Sequence, residues 1–156
     1  MKKLWVVLAN SKMTVFYSIE EKDRRFNLVK TLFHPESGLK NQDLCSDRPG
    51  HYIKGNSQTR GSYADKTEKK EHEIECFSKQ ICQELERERN IHAYDGLIII
   101  AEPHFYGLIH SNLDHSTKAL LKHHLAKDYT HLTTKKLKEA LDEVIAHELR
   151  LLMLTE

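Results

Sequence analysis

Tyr94-Asp95-Gly96-Leu97-Ile98-Ile99-Ile100-Ala101 is the stretch from which the fold can be read. From Leu97 to Ala101 it carries no polar side chain, and its β-branched isoleucines favour an extended backbone. A strand apolar on both faces belongs in the middle of a sheet covered by helices on each side. Directly after it, Pro103 suits the first position of a helix, with Phe105, Leu108 and Ile109 following at helical spacing. Directly before it lies a helical pattern over residues 65–90. There Ile74, Phe77, Ile81 and Leu85 recur three and four apart, and Asp65 with Glu68 resembles a capping box. On the opposite face Glu75 and Lys79 stand one turn apart, set for an ion pair.

The chain opens with a second apolar run, Leu4-Trp5-Val6-Val7-Leu8-Ala9. Residues 13–19 then alternate, with Val15, Tyr17 and Ile19 on one face. The three-residue connection Asn10-Ser11-Lys12 predicts a hairpin, and residues 26–33 read as a third strand. A last helix is expected from Thr133 or Thr134, with Leu137, Ala140, Leu141, Val144, Ile145 and Leu149 on one side. Its end, Leu149-Arg150-Leu151-Leu152-Met153-Leu154, is expected to dock on the domain's own core. Residues 118–132 show no decisive period. Residues 34–64 have no apolar period either, and they hold four of the six glycines and two of the three prolines. A loop of that length inside a compact domain is commonly functional. The whole predicts one α/β domain over residues 1–156, a mixed sheet with flanking helices and a long loop at 34–64.

Composition narrows the function classes. Among 156 residues, 39% are hydrophobic and 30% charged, enough for one core under a heavily charged surface. No apolar run approaches the ~18 residues that span a bilayer, and the six-residue stretch 4–9 is short for a secretory signal, so a cytoplasmic protein is expected. The net charge of +1, from 24 basic and 23 acidic residues, removes any argument for nucleic-acid binding from overall charge. Residues 1–33 nevertheless carry seven Lys or Arg against three Asp or Glu, which leaves room for a local basic patch. Cys45, Cys76 and Cys82 form no CxxC pair and fit reduced thiols.

Neither a GxSxG elbow nor a GxxxxGK[ST] or GxGxxG phosphate loop is present. Six of the eleven histidines, His104, His110, His115, His123, His124 and His131, fall between residues 104 and 131. They lack an HExxH or cysteine-paired spacing, and adjacent His123 and His124 would point to different faces. No cofactor and no metal site is expected from them. The most informative local feature is Asp43-Leu44-Cys45-Ser46-Asp47-Arg48-Pro49-Gly50-His51. Pro49 biases Arg48 towards an extended backbone and Gly50 tolerates a turn, so the guanidinium can project from a defined bend. Two readings stand: a guanidinium presented to phosphate or carboxylate, or an Asp47–Arg48 pair that pins the loop.

Taken in order, the Trp-Val-Val-Leu-Ala first strand, His34-Pro35, Asp43-Leu44-x-Ser46-Asp47-Arg48-Pro49-Gly50, Tyr94-Asp95-Gly96-Leu97, Ala101-x-Pro103-x-Phe105-x-Gly107 and Lys127-Asp128-x-Thr130-x-Leu132 resemble the bacterial host-attachment protein family. That family is grouped with bacterial relatives of the middle domain of the eukaryotic release factor and Pelota. The resemblance therefore implies an RNase H-like α/β fold and makes residues 118–125 a strand leading into Lys127-Asp128. Three departures are visible. Asn10-Ser11 and Val15 stand where the family often has Asp-Gly and a later Arg, and His51 stands where an Arg usually follows Pro-Gly. The loop has Gly55-Asn56-Ser57-Gln58 and Arg60-Gly61 but no Gly-Gly-Gln, so peptide release is not expected.

The reading with most support is a binding module that recognises a ribosome, RNA or protein partner through residues 34–61. Its binding residues would be Asp47, Arg48, Pro49, Gly50, His51, Lys54, Arg60, Lys127 and Asp128. The alternative is a hydrolase of an ester or phosphodiester that uses an acid such as Asp47, Asp95 or Asp128. A protein-interaction factor connected with attachment is the third.

Overall fold

A computed structural model describes residues 2–34 and 62–154. Five strands form one sheet: β1 (Lys3–Ala9), β2 (Met13–Glu20), β3 (Phe26–Phe33), β4 (Gly96–Ala101) and β5 (Leu121–Leu125), in the spatial order β3-β2-β1-β4-β5. β1, β2 and β3 form the predicted antiparallel meander, while β1 pairs with β4, and β4 with β5, in parallel. Four helices complete the described residues: α1 (Ser62–Asn90), α2 (Pro103–Asn112), α3 (His115–Leu120) and α4 (Thr134–Leu154).

The continuous apolar runs of β1 and β4 have a simple cause, since both strands feed two cores. Trp5, Val7, Ala9, Leu97, Ile99 and Ala101 face one side, where Phe77, Ile81 and Leu85 of α1 and Phe105 and Ile109 of α2 pack against them. Leu4, Val6, Leu8, Ile98 and Ile100 face the other, under Leu137, Leu141, Ile145, Leu149 and Leu152 of α4. Each fully buried side chain of this size contributes about 1.5–3 kcal/mol. The end of α4 docks only in part: Leu149 and Leu152 are buried, but Leu151, Met153 and Leu154 face solvent.

Local signals end the elements where they should end. The β1–β2 hairpin closes with Asn10 N donating to Met13 O at 2.9 Å. α1 stops in a Schellman closure: Ala93 N donates to Glu88 O, His92 N donates to Arg89 O, and His92 takes φ 58°. A histidine there occupies a conformation that glycine adopts more easily. Beyond the turn, Tyr94 donates its hydroxyl to Leu85 O at 2.7 Å and lies 5.0 Å from the Trp5 ring.

One expectation needs correction. Residues 118–125 are not one strand: α3 takes His115–Leu120, and only Leu121–Leu125 is extended. The reason is Asp114, whose carboxylate caps α3 by accepting from Thr117 N at 3.2 Å. Cys82 is free and buried, and donates to Ile109 O.

Candidate site at the carboxyl edge of the sheet

β1, β4 and β5 run parallel, and β3 points the same way after two reversals, so the carboxyl ends of four strands share one edge. The chain leaves β1 towards β2 and leaves β4 towards β5. The crevice between the ends of β1 and β4 is therefore a topological switch point, the usual place for a ligand in an open α/β sheet. Asn10-Ser11-Lys12, His34, Glu102 and the segment Lys127-Asp128-Tyr129-Thr130 follow those strand ends.

Asn10 organises the edge. Its Oδ1 accepts from Lys12 N at 2.8 Å and from Met13 N at 2.9 Å, which locks the hairpin turn. Its Nδ2 donates to Asp128 Oδ2 at 3.1 Å and to Thr130 Oγ1 at 2.9 Å, 118 and 120 residues away in sequence. Thr130 in turn donates to Asp128 Oδ1 from its hydroxyl at 2.7 Å and from its backbone at 3.0 Å. Both carboxylate oxygens of Asp128 are thus occupied. Burial pushes the Asp128 carboxyl up, but the Thr130 and Asn10 hydrogen bonds and the charge of His131 outweigh it, and the group lies below the ordinary carboxylate range. It is an anchored anion, poorly suited to exchanging a proton near neutral pH.

The neighbouring helix end is filled from within. At the end of β4, Glu102 caps α2 by accepting from Phe105 N at 2.8 Å and His104 N at 3.2 Å. A helix N-terminus at this position commonly receives an anionic ligand. Here the chain's own carboxylate supplies the anion. On the β3 side, the His34 ring stacks on Phe77 with centroids 5.1 Å apart, and its Nδ1 lies 2.6 Å from Ser11 O. The start of residues 34–61 is thereby tied to the β1–β2 turn.

Of the candidate residues, Lys127 and Asp128 lie together at this edge, both exposed. Asp95 does not join them. It precedes β4, where its Oδ2 accepts from Lys3 N at 2.8 Å and its own N donates to Lys3 O at 2.8 Å. One strand of six residues puts it about 20 Å from the carboxyl edge. An active site that includes both Asp95 and Asp128 is incompatible with this sheet. Asp47, Arg48, Pro49, Gly50, His51, Lys54 and Arg60 lie outside the described residues. The six histidines do not assemble: His104 pairs with Glu71 at 3.5 Å, while His110 and His124 meet at Tyr106. Among the described residues no group of three or more His, Cys, Asp or Glu is placed to hold a metal ion. A cavity of about 370 Å³ lined by Asp23, Arg25, Phe26, Thr134, Lys135 and Lys138 lies at the β2–β3 turn, away from Asn10.

Sequence reasoning missed Asn10 and Thr130 as partners of Asp128. The available signal was an Asn directly after a buried parallel strand together with the Asp-x-Thr turn at 128–130.

No helix among the described residues is long and apolar enough to cross a membrane. Among curated proteins none matches the sequence. A solved structure titled "Archaeal protein" is similar over 98% of this chain at 12% identity, with a TM-score of 0.46. The chain spans 41% of that protein's length. The model of a family described as "Protein required for attachment to host cells" matches residues 5–141, most of the chain and both sides of the carboxyl-edge network, and the chain belongs to that family.

Proposed function

We propose that this protein is a cytoplasmic binding module that recognises RNA, free or within the ribosome, through the carboxyl edge of its sheet. Arg48, Lys54 and Arg60 on residues 34–61, with Lys127 beside Asp128, are the phosphate contacts. Asp47, Pro49, Gly50 and His51 are the remaining binding residues proposed on that segment. The observation that carries the reading is the occupied carboxylate of Asp128. Its hydrogen bonds join the β1–β2 turn to the segment after β5, so this edge is a braced platform rather than a proton-transfer centre. The resemblance of the sequence motifs to a family grouped with bacterial relatives of the release-factor middle domain supports the same reading. Phosphate contacts by lysine and arginine release counterions, so binding weakens steeply as salt rises.

Recovery of ribosomes and RNA from a lysate at low and at high salt, with wild type and Arg48→Ala side by side, tests the proposal. Salt-sensitive RNA recovery that the substitution reduces is expected. No RNA at low salt, or recovery of a stable protein partner indifferent to salt, overturns it.

A further inference from the structure

Three rings meet between α2 and the edge strand β5. Tyr106 and His124 of β5 stack with centroids 4.2 Å apart and planes 11° from parallel. His110, one helical turn beyond Tyr106, lies 5.7 Å from it at a tilt of 36°. Tyr106 is half-buried, but His110 and His124 are exposed, so the ladder ends in rings open to solvent.

Gly107 lies beside this ladder. A glycine inside a helix costs about 0.5–1 kcal/mol relative to alanine. None of the described glycines takes a positive φ, and nothing lies within 4 Å of where a Gly107 Cβ would stand. Neither backbone conformation nor internal packing accounts for it. At about 100° per residue, His110 sits ~40° and Gly107 ~100° round the helix from Tyr106, so bare backbone adjoins the rings. The carboxylates near the rings are engaged within the protein. Residues 102–132 hold Lys118, Lys122 and Lys127 against Glu102, Asp114 and Asp128, and Glu102 is spent on the α2 cap. Asp114 is bound by Arg89 at 3.2 Å, and Asp128 is held by Asn10 and Thr130.

We infer that the His110–Tyr106–His124 ladder and the open backbone at Gly107 form a stacking platform for the bases of single-stranded RNA. The inference rests on the RNA-binding reading and adds where the bases go. Flat, unpaired bases stack on exposed His and Tyr rings, whereas a duplex keeps its base faces inside. An acidic peptide would use the lysines but has no need of flat rings or a bare helix shelf.

The test is fluorescence anisotropy of a labelled single-stranded 12-mer RNA and of its duplex, with wild type, His124→Ala, His124→Phe, Gly107→Ala and Arg48→Ala. Wild type should prefer the single strand. His124→Ala should weaken it by about fivefold to a hundredfold, the range for losing one base stack, and His124→Phe should restore it. Gly107→Ala should weaken binding while raising the thermal midpoint, which separates a lost shelf from a damaged fold. Unchanged binding in His124→Ala and Gly107→Ala, or equal loss in His124→Phe, overturns the platform. If Arg48→Ala alone abolishes binding, the platform falls and the RNA reading survives. If wild type binds neither RNA, both fall.

Discussion

Replacing Asn10 with Asp changes one heavy atom in kind and none in number, and it bears directly on the carboxyl-edge network. The Oδ1 that holds the turn remains an acceptor for Lys12 N and Met13 N. The Nδ2 becomes an oxygen 3.1 Å from Asp128 Oδ2, so two donated hydrogen bonds are lost and two carboxylates face each other. Charges centred ~4 Å apart repel by about 1 kcal/mol under water-like screening and about 4 kcal/mol at an effective dielectric of 20. Asp128 is exposed, which places this pair near the lower value. The lost hydrogen bonds add about 0.5–1.5 kcal/mol each. The expected destabilisation is therefore about 2–4 kcal/mol near neutral pH, read by urea unfolding. The facing carboxyls share a proton, so one pKa rises above the ordinary carboxylate value. The deficit should be full above that raised pKa and shrink as pH falls through it. The wild-type reference holds over the same window. Asp128 is depressed in the folded state, so its stabilisation is present above the unfolded pKa of ~3.9 and is lost only as pH falls through the folded value. A loss below about 0.5 kcal/mol near neutral pH, or one that does not shrink at about pH 4.5, would refute this account of the edge.

Three further outcomes follow from single features. His92→Gly removes left-handed strain at the end of α1 and should raise stability by about 0.5–1 kcal/mol, measurable as a higher urea midpoint with unchanged slope. Glu102→Ala strips the cap from α2 and should lower stability by about 1 kcal/mol, with Glu102→Asp recovering part of it in the same unfolding assay. Burial first, then the charges of Asp114 and Glu86, push the Cys82 thiol up to about 12, so a thiol reagent near pH 8 should leave it unlabelled in the native protein and label it on unfolding.

The order of elements was legible because hydrophobic pattern reports burial directly. The unbroken runs at 4–9 and 96–101 are apolar precisely where two cores press on one strand, and the period of α1 records its contact with a single face. What escaped the sequence was interaction across distance and competition between local signals. Asp114 starts a short helix that runs into the segment 118–125 for which the resemblance implied a strand, and the side-chain cap decides between them. Asp95 and Asp128 both looked like acids at strand ends. Once β1, β4 and β5 are parallel, a residue before β4 and one after β5 must lie at opposite edges. Asn10 and Asp128 are brought together by the strand order, which neither the Asn after β1 nor the Asp-x-Thr turn specifies by itself.

The most direct measurement of the central claim uses purified protein and one labelled RNA, following anisotropy and chain integrity together, with and without Mg²⁺, from about 50 to 300 mM salt. Binding that falls steeply with salt, with the RNA intact at every point and Asp128→Asn leaving it intact, is the predicted result. RNA cleavage that Asp128→Asn abolishes, or no anisotropy change at the lowest salt, would contradict it.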